Sequence, residues 1–513
     1  MIRVSGPSLT KVDRTSALYA LLENTHIRIA QKDASTWGHG AAAEAAIRLN
    51  WVDLPASSRT LLPEISQIVA KFKGFQHLVL CGMGGSSLAP EVIAHTYGKS
   101  IFILDSTDPN YIAHIEAFQL EKTLVVVSSK SGSTIEVACQ LSYFENKYKS
   151  DGLNPVNHML FITDPNSPLD AQARKAGYSV VNADSKVGGR FSALTAFGLL
   201  PAALMGIDPL LLLDQAQNAK AQFLAQHFQI LDVAYVLAKI AGQFVGFTDA
   251  GSKVPGLADW IEQLIAESTG KNEKGRLPIA TESVASAAAG GALSVAFAPD
   301  SQADLVIEAE LGEHFIFWEW VTALVSAALE VDPFNQPNVI EAKEATVQLL
   351  STWDSKLPQI SGDAEDGEIE IFGHGATIVS ALKNLIANTE SDGYIAIMAY
   401  LDRIDDWKVC ELRKILSEKS GRPVSFGWGP RFMHSTGQFH KGGQQNGSFL
   451  QITGETTSDF DIPGKSFDFK TLLMAQALGD AHALVKRKYP LLRLHLKNRS
   501  AGIDHVLKAA RSL

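Results

Sequence analysis

The sequence predicts an α/β protein built on parallel sheets covered on both faces. Three observations predict it. Short apolar runs rich in β-branched residues recur from about residue 76 onward, each is bounded by Gly, Pro, Ser or Asp, and most are separated by ten to twenty helix-like residues. Consecutive parallel strands need a crossover helix, and the sheet they form is buried on both sides, so its strands read as continuous apolar runs. Composition agrees: of 513 residues, 46% are hydrophobic and 19% charged, against a usual charged fraction of about 25%. Such a chain can fill large cores and is not disordered. Its length alone corresponds to roughly three domains at ~150 residues each.

Taken in order, residues 13–48 read as helical and partly amphipathic. The first strand series is HLVLC (77–81), IFILD (101–105), TLVVVSS (123–129), HMLFITD (158–164) and YSVVNA (178–183). Residues 190–248 read as a helical stretch. Within it, 191–213 is the most apolar long segment, but Pro201, Asp208 and Pro209 interrupt it. A membrane span needs ~20 unbroken apolar residues, so buried helices joined by a turn are expected there. Strands return at ALSVAFA (292–298) and DLVIEAEL (304–311), followed by a helix over 312–330 that is apolar on most sides. The polar, acidic SGDAEDGE (361–368) is the best linker candidate. Beyond it lie strands at 369–373, 393–401, 423–428, 448–454 and 491–497.

Charge and cysteine content narrow the function. Forty-five basic and 55 acidic residues leave a net charge of −10, which disfavours nucleic acid and anionic membranes as partners. Cys81, Cys139 and Cys410 cannot make a disulfide framework, and no Cys/His spacing suggests a metal. The N-terminus lacks the apolar core of a signal peptide, so a reducing cytoplasm is expected.

Two loops carry the strongest chemical signal. Gly82-Met83-Gly84-Gly85-Ser86-Ser87 follows the first strand and precedes a helix. Glycines let the backbone approach an anion, and the helix start offers free N–H groups. Ser128-Ser129-Lys130-Ser131-Gly132-Ser133-Thr134 follows the strand TLVVV and also precedes a helix. Its hydroxyls can wrap a phosphate while Lys130 supplies charge. The plainer alternative is a Ser-rich turn whose hydroxyls cap the next helix. Neither loop is a nucleotide P-loop, and Ser87 stands where a dinucleotide fold wants Gly or Ala. Together they point to a small phosphate ester.

These two loops resemble the phosphosugar-binding domain of sugar isomerases. Val187-Gly188-Gly189-Arg190-Phe191-Ser192, the stretch Gln263–Lys271 (QLIAESTGK) and Pro333–Lys343 (PFNQPNVIEAK) narrow the resemblance to the glucose-6-phosphate isomerase family over roughly 76–345. The chain looks most like the compact branch found elsewhere fused to a transaldolase, here as a free-standing isomerase. The resemblance implies two sugar-isomerase-type, doubly wound parallel-sheet domains with helical flanks. Their expected bounds are an N-terminal helical segment 1–60, a first sugar-isomerase domain 61–225, a portion 226–355 carrying the base and lysine motifs, and a C-terminal α/β portion 366–513.

By this resemblance Glu267 is the general base that moves a proton between C1 and C2 through a cis-enediol. Helical periodicity with Gly270 as a cap puts Glu267 in the last turn, where the negative dipole end disfavours ionisation. Gln263, four residues earlier, shares its face and contacts substrate. Arg190 stabilises the enediolate. Gly85, Ser86, Ser129, Lys130, Ser131 and Thr134 hold the phosphate. Gln336 and Lys343 match an FDQ…K element whose lysine assists ring opening, although Asn335, Asn338 and Ala342 replace the common Asp, Gly and Gly. No metal or other cofactor is implied.

One departure stands out. The family's ring-opening histidine lies between base and lysine, but residues 272–304 contain no histidine. The matching block comes later, at Arg431–Gly443, where His434-Ser435 with Gln438 fits the family spacing and His440 is the rival. In the common form a partner subunit supplies this histidine in a homodimer; the moved block leaves open whether it acts within one chain or across a dimer. The expected reaction is isomerisation of glucose 6-phosphate and fructose 6-phosphate. An isomerase for another phosphosugar, such as mannose 6-phosphate, and a non-catalytic phosphosugar sensor are the alternatives. His374, in a Gly-His-Gly turn, is expected to be structural.

Overall fold

The computed structural model describes residues 1–240, 242–353, 357–358 and 361–513; the domain boundary expected at 355 lies outside them. The α/β expectation holds, and the strands form three sheets. The chain opens with β1 (Arg3–Ser5) and then runs through β2 (His77–Gly82), β3 (Phe102–Leu104), β4 (Thr123–Ser128), β5 (Met159–Thr163) and β6 (Ser179–Asn182). β2 to β6 make a wholly parallel sheet in the order β3-β2-β4-β5-β6. All six residues of its central strand β4 are buried, as the run TLVVVS requires of a strand covered by helices on both faces.

The second sheet collects β7 (Phe244–Thr248), β8 (Leu277–Ala280), β9 (Leu293–Ala296) and β10 (Leu305–Glu308) in the order β1-β10-β9-β7-β8, with only β1 antiparallel. β7 lies inside the stretch expected to be helical. Its sequence FVGFT is aromatic and β-branched, and that composition outweighs the helical texture before it. β8 carries Pro278, which an edge strand tolerates because one side of the ladder is unused.

The third sheet contains β11 (Ala364–Asp366), β12 (Ile369–Phe372), β13 (Tyr394–Tyr400), β14 (Val424–Trp428), β15 (Gly447–Gly454) and β16 (Leu491–Leu496). Its order is β11-β12-β16-β15-β13-β14. The segment expected as a linker is not a plain one: Ala364–Asp366 pairs antiparallel with β12 through a turn at Gly367, whose φ is +61°. Edge strand β14 lies against edge strand β8, so the last two sheets abut although no ladder joins them.

Two helical expectations also resolve. Residues 13–48 break into helices Ala17–Ala30 and Ala42–Ala46 because Asp33 accepts from the Ser35 N–H, a local bond that competes with continued helix. The apolar stretch 191–213 becomes helices Ala196–Leu204 and Pro209–Ala225, the second capped by Asp208. Helix Leu311–Ala328 is buried from Leu311 to Ala327 and packs on Pro209–Ala225 and on helix Leu257–Thr269. Among the described residues, no helix is long and apolar enough to cross a membrane.

Inside that helix, Glu319 is fully buried, and among the described residues neither carboxylate oxygen has a partner. Burial raises its pKa well above the ordinary value, so the folded state keeps it protonated. The unfolded chain ionises it above about pH 4.5, so its ionisation costs stability as pH rises through that point. Glu319→Gln is expected to unfold at a higher temperature than the parent at pH 8, with the gap closing towards pH 4.5. A pH-independent gap in thermal melts contradicts a neutral Glu319.

Candidate active site

β2 and β4 are neighbours, and their register pairs Gly82 with Ser128. The two loops that follow them therefore emerge side by side, at the carboxyl ends of parallel strands. Ser128 Oγ donates to the Ser86 carbonyl at 3.2 Å, and Ser129 Oγ accepts from the Gly132 N–H at 3.2 Å. The Ser131 and Ser133 hydroxyls stand 2.7 Å apart. Thr134 is the N-cap of helix Ile135–Ser150, yet its side chain makes no capping bond. That hydroxyl is thus left for the cavity rather than spent on the helix. Lys130 turns aside to Asp164, 2.6 Å away. Burial lowers its pKa, and the Asp164 carboxylate opposes the shift.

The glycines of the first loop are required by close approaches. Gly84 has a φ of +56°, and a Cβ there would stand 2.7 Å from Gln263 Nε2 and 2.9 Å from the His434 carbonyl oxygen. A Cβ on Gly85 would overlap the Gly189 carbonyl. The loop is therefore the floor on which the Arg190 turn and the histidine block rest.

Helix Leu257–Thr269 brings Gln263 and Glu267 to the same spot, buried like the rest of its second half. Gln263 Nε2 donates to Glu267 Oε2 at 3.1 Å and to the His434 carbonyl at 2.9 Å. Arg190 Nε lies 3.3 Å from Glu267 Oε2. The rest of its guanidinium donates to the carbonyls of Glu267 (2.8 Å) and Pro333 (2.9 Å) and to Gln336 Oε1 (2.5 Å). Burial lowers the Arg190 pKa while Glu267 and Asp332 oppose it. The arginine thus satisfies a carbonyl at the helix C-terminus, holds the base and fixes the loop carrying Gln336.

His434 reaches this cavity from its own chain, and Nε2 lies 3.0 Å from Glu136 Oε1. Glu136 is buried. Burial opposes its ionisation, but the neighbouring His434 leaves its pKa below the ordinary value. Gln476 Nε2 donates to the same Glu136 oxygen at 2.7 Å and is itself held by Thr107 at 2.6 Å. His440 stands elsewhere. Its Nδ1 lies 2.9 Å from the Tyr394 hydroxyl, its ring stacks on Tyr394, and burial pushes its pKa down to about 3. Gln438 ties the block down by donating to the Gly270 carbonyl and Asn338 Oδ1, both at 2.8 Å.

The two loops, Arg190, Gln263, Glu267, Glu136 and His434 line one cavity of about 740 Å³. Its walls include Gly85, Ser86, Ser129, Lys130, Ser131, Thr134, Arg190, Gln263, Glu267, Gln336, Lys343 and His434, all named from sequence, but not the rival His440. Sequence reasoning missed Glu136, Gln476, Asp164, Glu44 and Arg48, which line it too. Glu136 follows the hydroxyl loop by two residues, so a local signal existed, although an acid in a first turn ordinarily reads as a dipole partner. The others come from distant segments. A cluster with metal-ligand character, His114 with Asp402 (2.8 Å) and Asp405 (3.8 Å), lies outside the cavity.

A buried charge network seats the histidine block. Arg431 Nη1 lies 2.7 Å from Glu91 and 3.0 Å from Asp105, and Arg403 Nη1 lies 2.7 Å from Glu91. Glu91 sits on the helix after the glycine loop, and burial there is overcome by the two arginines, which hold its pKa at about 2. Lys441 and Asp480, both buried and 2.5 Å apart, pin the other end of the block. Arg431→Gln leaves two buried carboxylates to one arginine, so a stability loss of about 3 kcal/mol is expected. Chemical denaturation checks it; a loss indistinguishable from zero removes the network from the account.

Comparison with known proteins follows this geometry. Residues 66–272 match the family model described as phosphoglucose isomerase. The glucose-6-phosphate isomerase of Campylobacter jejuni is 31% identical over 244 residues, covering 44% of this chain and 58% of that one. The enzyme of the same name from Thermus thermophilus is 32% identical over 250 residues, covering 47% and 60%. The chain thus spans about three fifths of the length of these curated relatives. A crystal structure of a glucose-6-phosphate isomerase from Chlamydia trachomatis shares the fold, with a TM-score of 0.54 at 19% identity over 70% of this chain and 89% of that one. The matched residues include both loops, Arg190, Gln263 and Glu267, so over residues 66–272 the chain is similar to the phosphoglucose isomerase family.

Proposed function

We propose that this chain interconverts glucose 6-phosphate and fructose 6-phosphate. The observation that carries the reading is Glu267, a buried carboxylate held by Gln263 and Arg190 in the same cavity as the hydroxyl loop. A base fixed beside a guanidinium, a few residues' breadth from a phosphate cradle, suits proton transfer next to a carbonyl.

The chemistry runs in two stages. The phosphate sits on the hydroxyls of Ser86, Ser129, Ser131 and Thr134 at the start of helix Ile135–Ser150, so the sugar carbons extend towards Glu267. Ring opening removes a proton from the O1 hydroxyl, delivers one to O5 and breaks the C1–O5 bond. His434 and Lys343 serve this stage. Glu136 bonds His434 Nε2 and so orients the ring, leaving Nδ1 for the sugar. Glu267 then takes the proton from C2 of the open-chain aldose, and electron density passes to O1. Arg190 stabilises the enediolate, the O2 hydroxyl proton passes to O1, and the same carboxyl returns its proton to C1 as the carbonyl forms at C2. Protons and electrons balance with no further reactant. The reading implies a cytoplasmic enzyme of glycolysis and gluconeogenesis.

Glu267→Gln is expected to cut turnover of fructose 6-phosphate about a thousandfold, measured by coupled detection of glucose 6-phosphate; unchanged turnover removes Glu267 from the mechanism. His434 enters the cavity of its own chain, which supports a site complete within one subunit. Mixing inactive Glu267→Gln and His434→Ala proteins is therefore expected to restore nothing. Recovered activity in the mixture places the histidine in a partner subunit's site.

A further inference from the structure

We propose that Arg48, carried in by the N-terminal segment, binds the phosphate of the substrate and is held away from it by Glu44 until the substrate arrives. The proposal rests on the phosphosugar reading above and adds a residue outside the stretch 66–272 that the family model matches. Arg48 and Glu44 line the cavity together with the hydroxyl loop. Arg48 Nε donates to Glu44 Oε1 at 2.7 Å, one helical turn back. Its Nη1 donates to the Ser185 carbonyl at 3.0 Å, and Lys130 Nζ donates to that same oxygen at 3.4 Å. One carbonyl thus holds two cations side by side, next to Ser129 and Ser131. Among the described residues Arg48 Nη2 has no acceptor.

The segment is built into the site rather than lying near it. Asn50 Nδ2 donates to Asp184 at 2.8 Å, and Leu49 forms an antiparallel bridge with Val187. Both contacts grip the turn that leads directly into Gly188-Gly189-Arg190, so Arg48 is fixed relative to the enediolate arginine as well as to the hydroxyls.

Charge explains why the arginine is useful there. Lys130 already has Asp164 at 2.6 Å, so the neighbouring anion least tightly committed is Glu44, whose side chain is 34% exposed against 24% for Arg48. A half-exposed pair of this kind holds its partners weakly. A phosphate dianion between two adjacent cations relieves their repulsion and accepts the planar guanidinium on two oxygens. Substrate therefore replaces Glu44 as the partner of Arg48 at little cost.

The test measures binding without turnover. In a Glu267→Gln background, calorimetry with fructose 6-phosphate is expected to show Arg48→Gln weakening the ester about tenfold, the worth of one charge-assisted bond. Glu44→Gln, which frees the arginine, is expected to tighten it at least twofold. Inorganic phosphate, used as a competitor, follows the same order. Unchanged binding in Arg48→Gln overturns the proposal. If Arg48→Gln does not fold, Glu44→Gln decides alone, and unchanged or weaker binding there overturns it. Binding that weakens in Arg48→Gln although the parent turns over no fructose 6-phosphate upholds Arg48 and defeats the isomerase reading. A parent that binds no ester defeats both.

Discussion

The bonds from Arg431 and Arg403 to Glu91 and Asp105 are the constraint on which the rest of the site depends. The arginines belong to the C-terminal portion and the acids to the first sheet and the helix after its glycine loop. Four largely enclosed charges of balanced sign tolerate little displacement, because separating any pair leaves a poorly solvated ion without its partner. The network therefore fixes the register between the two halves of the chain. Arg431 stands three residues before His434, so that register places the histidine over Gly84 and within reach of Glu136. The Lys441–Asp480 pair closes the far end of the same block.

A second constraint acts at the base. A glutamate at a helix C-terminus faces the negative end of the dipole and unsatisfied carbonyls. Arg190 answers both, taking the Glu267 carbonyl with one nitrogen and standing 3.3 Å from its carboxylate with another. Its remaining donors reach Pro333 and Gln336, so one guanidinium sets Glu267 and the loop before Lys343 in a common frame. On the proposed reading, an acidic protein takes a phosphate ester under these terms. The bulk charge of −10 matters less than the hydroxyls, helix starts and few cations gathered at one cavity.

Legibility followed sequence distance. The β2–β6 sheet, both loops and the base helix were readable because each is local: an apolar run, a Gly- or Ser-rich turn, a helical stretch with its cap. The strand β7 was not, since FVGFT is too short to override a long helical texture without the sheet that receives it. Residues 361–368 read as a linker because polarity marks both loops and exposed hairpins. Glu136 and Gln476 were missed for a different reason. Glu136, in the first helical turn after the hydroxyl loop, reads as a dipole partner, Gln476 lies in a segment with no motif, and only packing brings them to His434.

What the sequence determined by itself was the α/β class and the residue types at the turns, since strand runs, glycines and hydroxyls have local physical meaning. It also marked both candidate histidines and favoured His434 by its spacing to Gln438. The tertiary structure separates them: His434 meets Glu136 at the cavity, while His440 is sealed against Tyr394 in the core. It decided too that the N-terminal segment walls the cavity, held there through Leu49 and Asn50. The physical reason is the same in each case. Burial and charge pairing are properties of segments brought together from far along the chain, and no spacing within a segment encodes them.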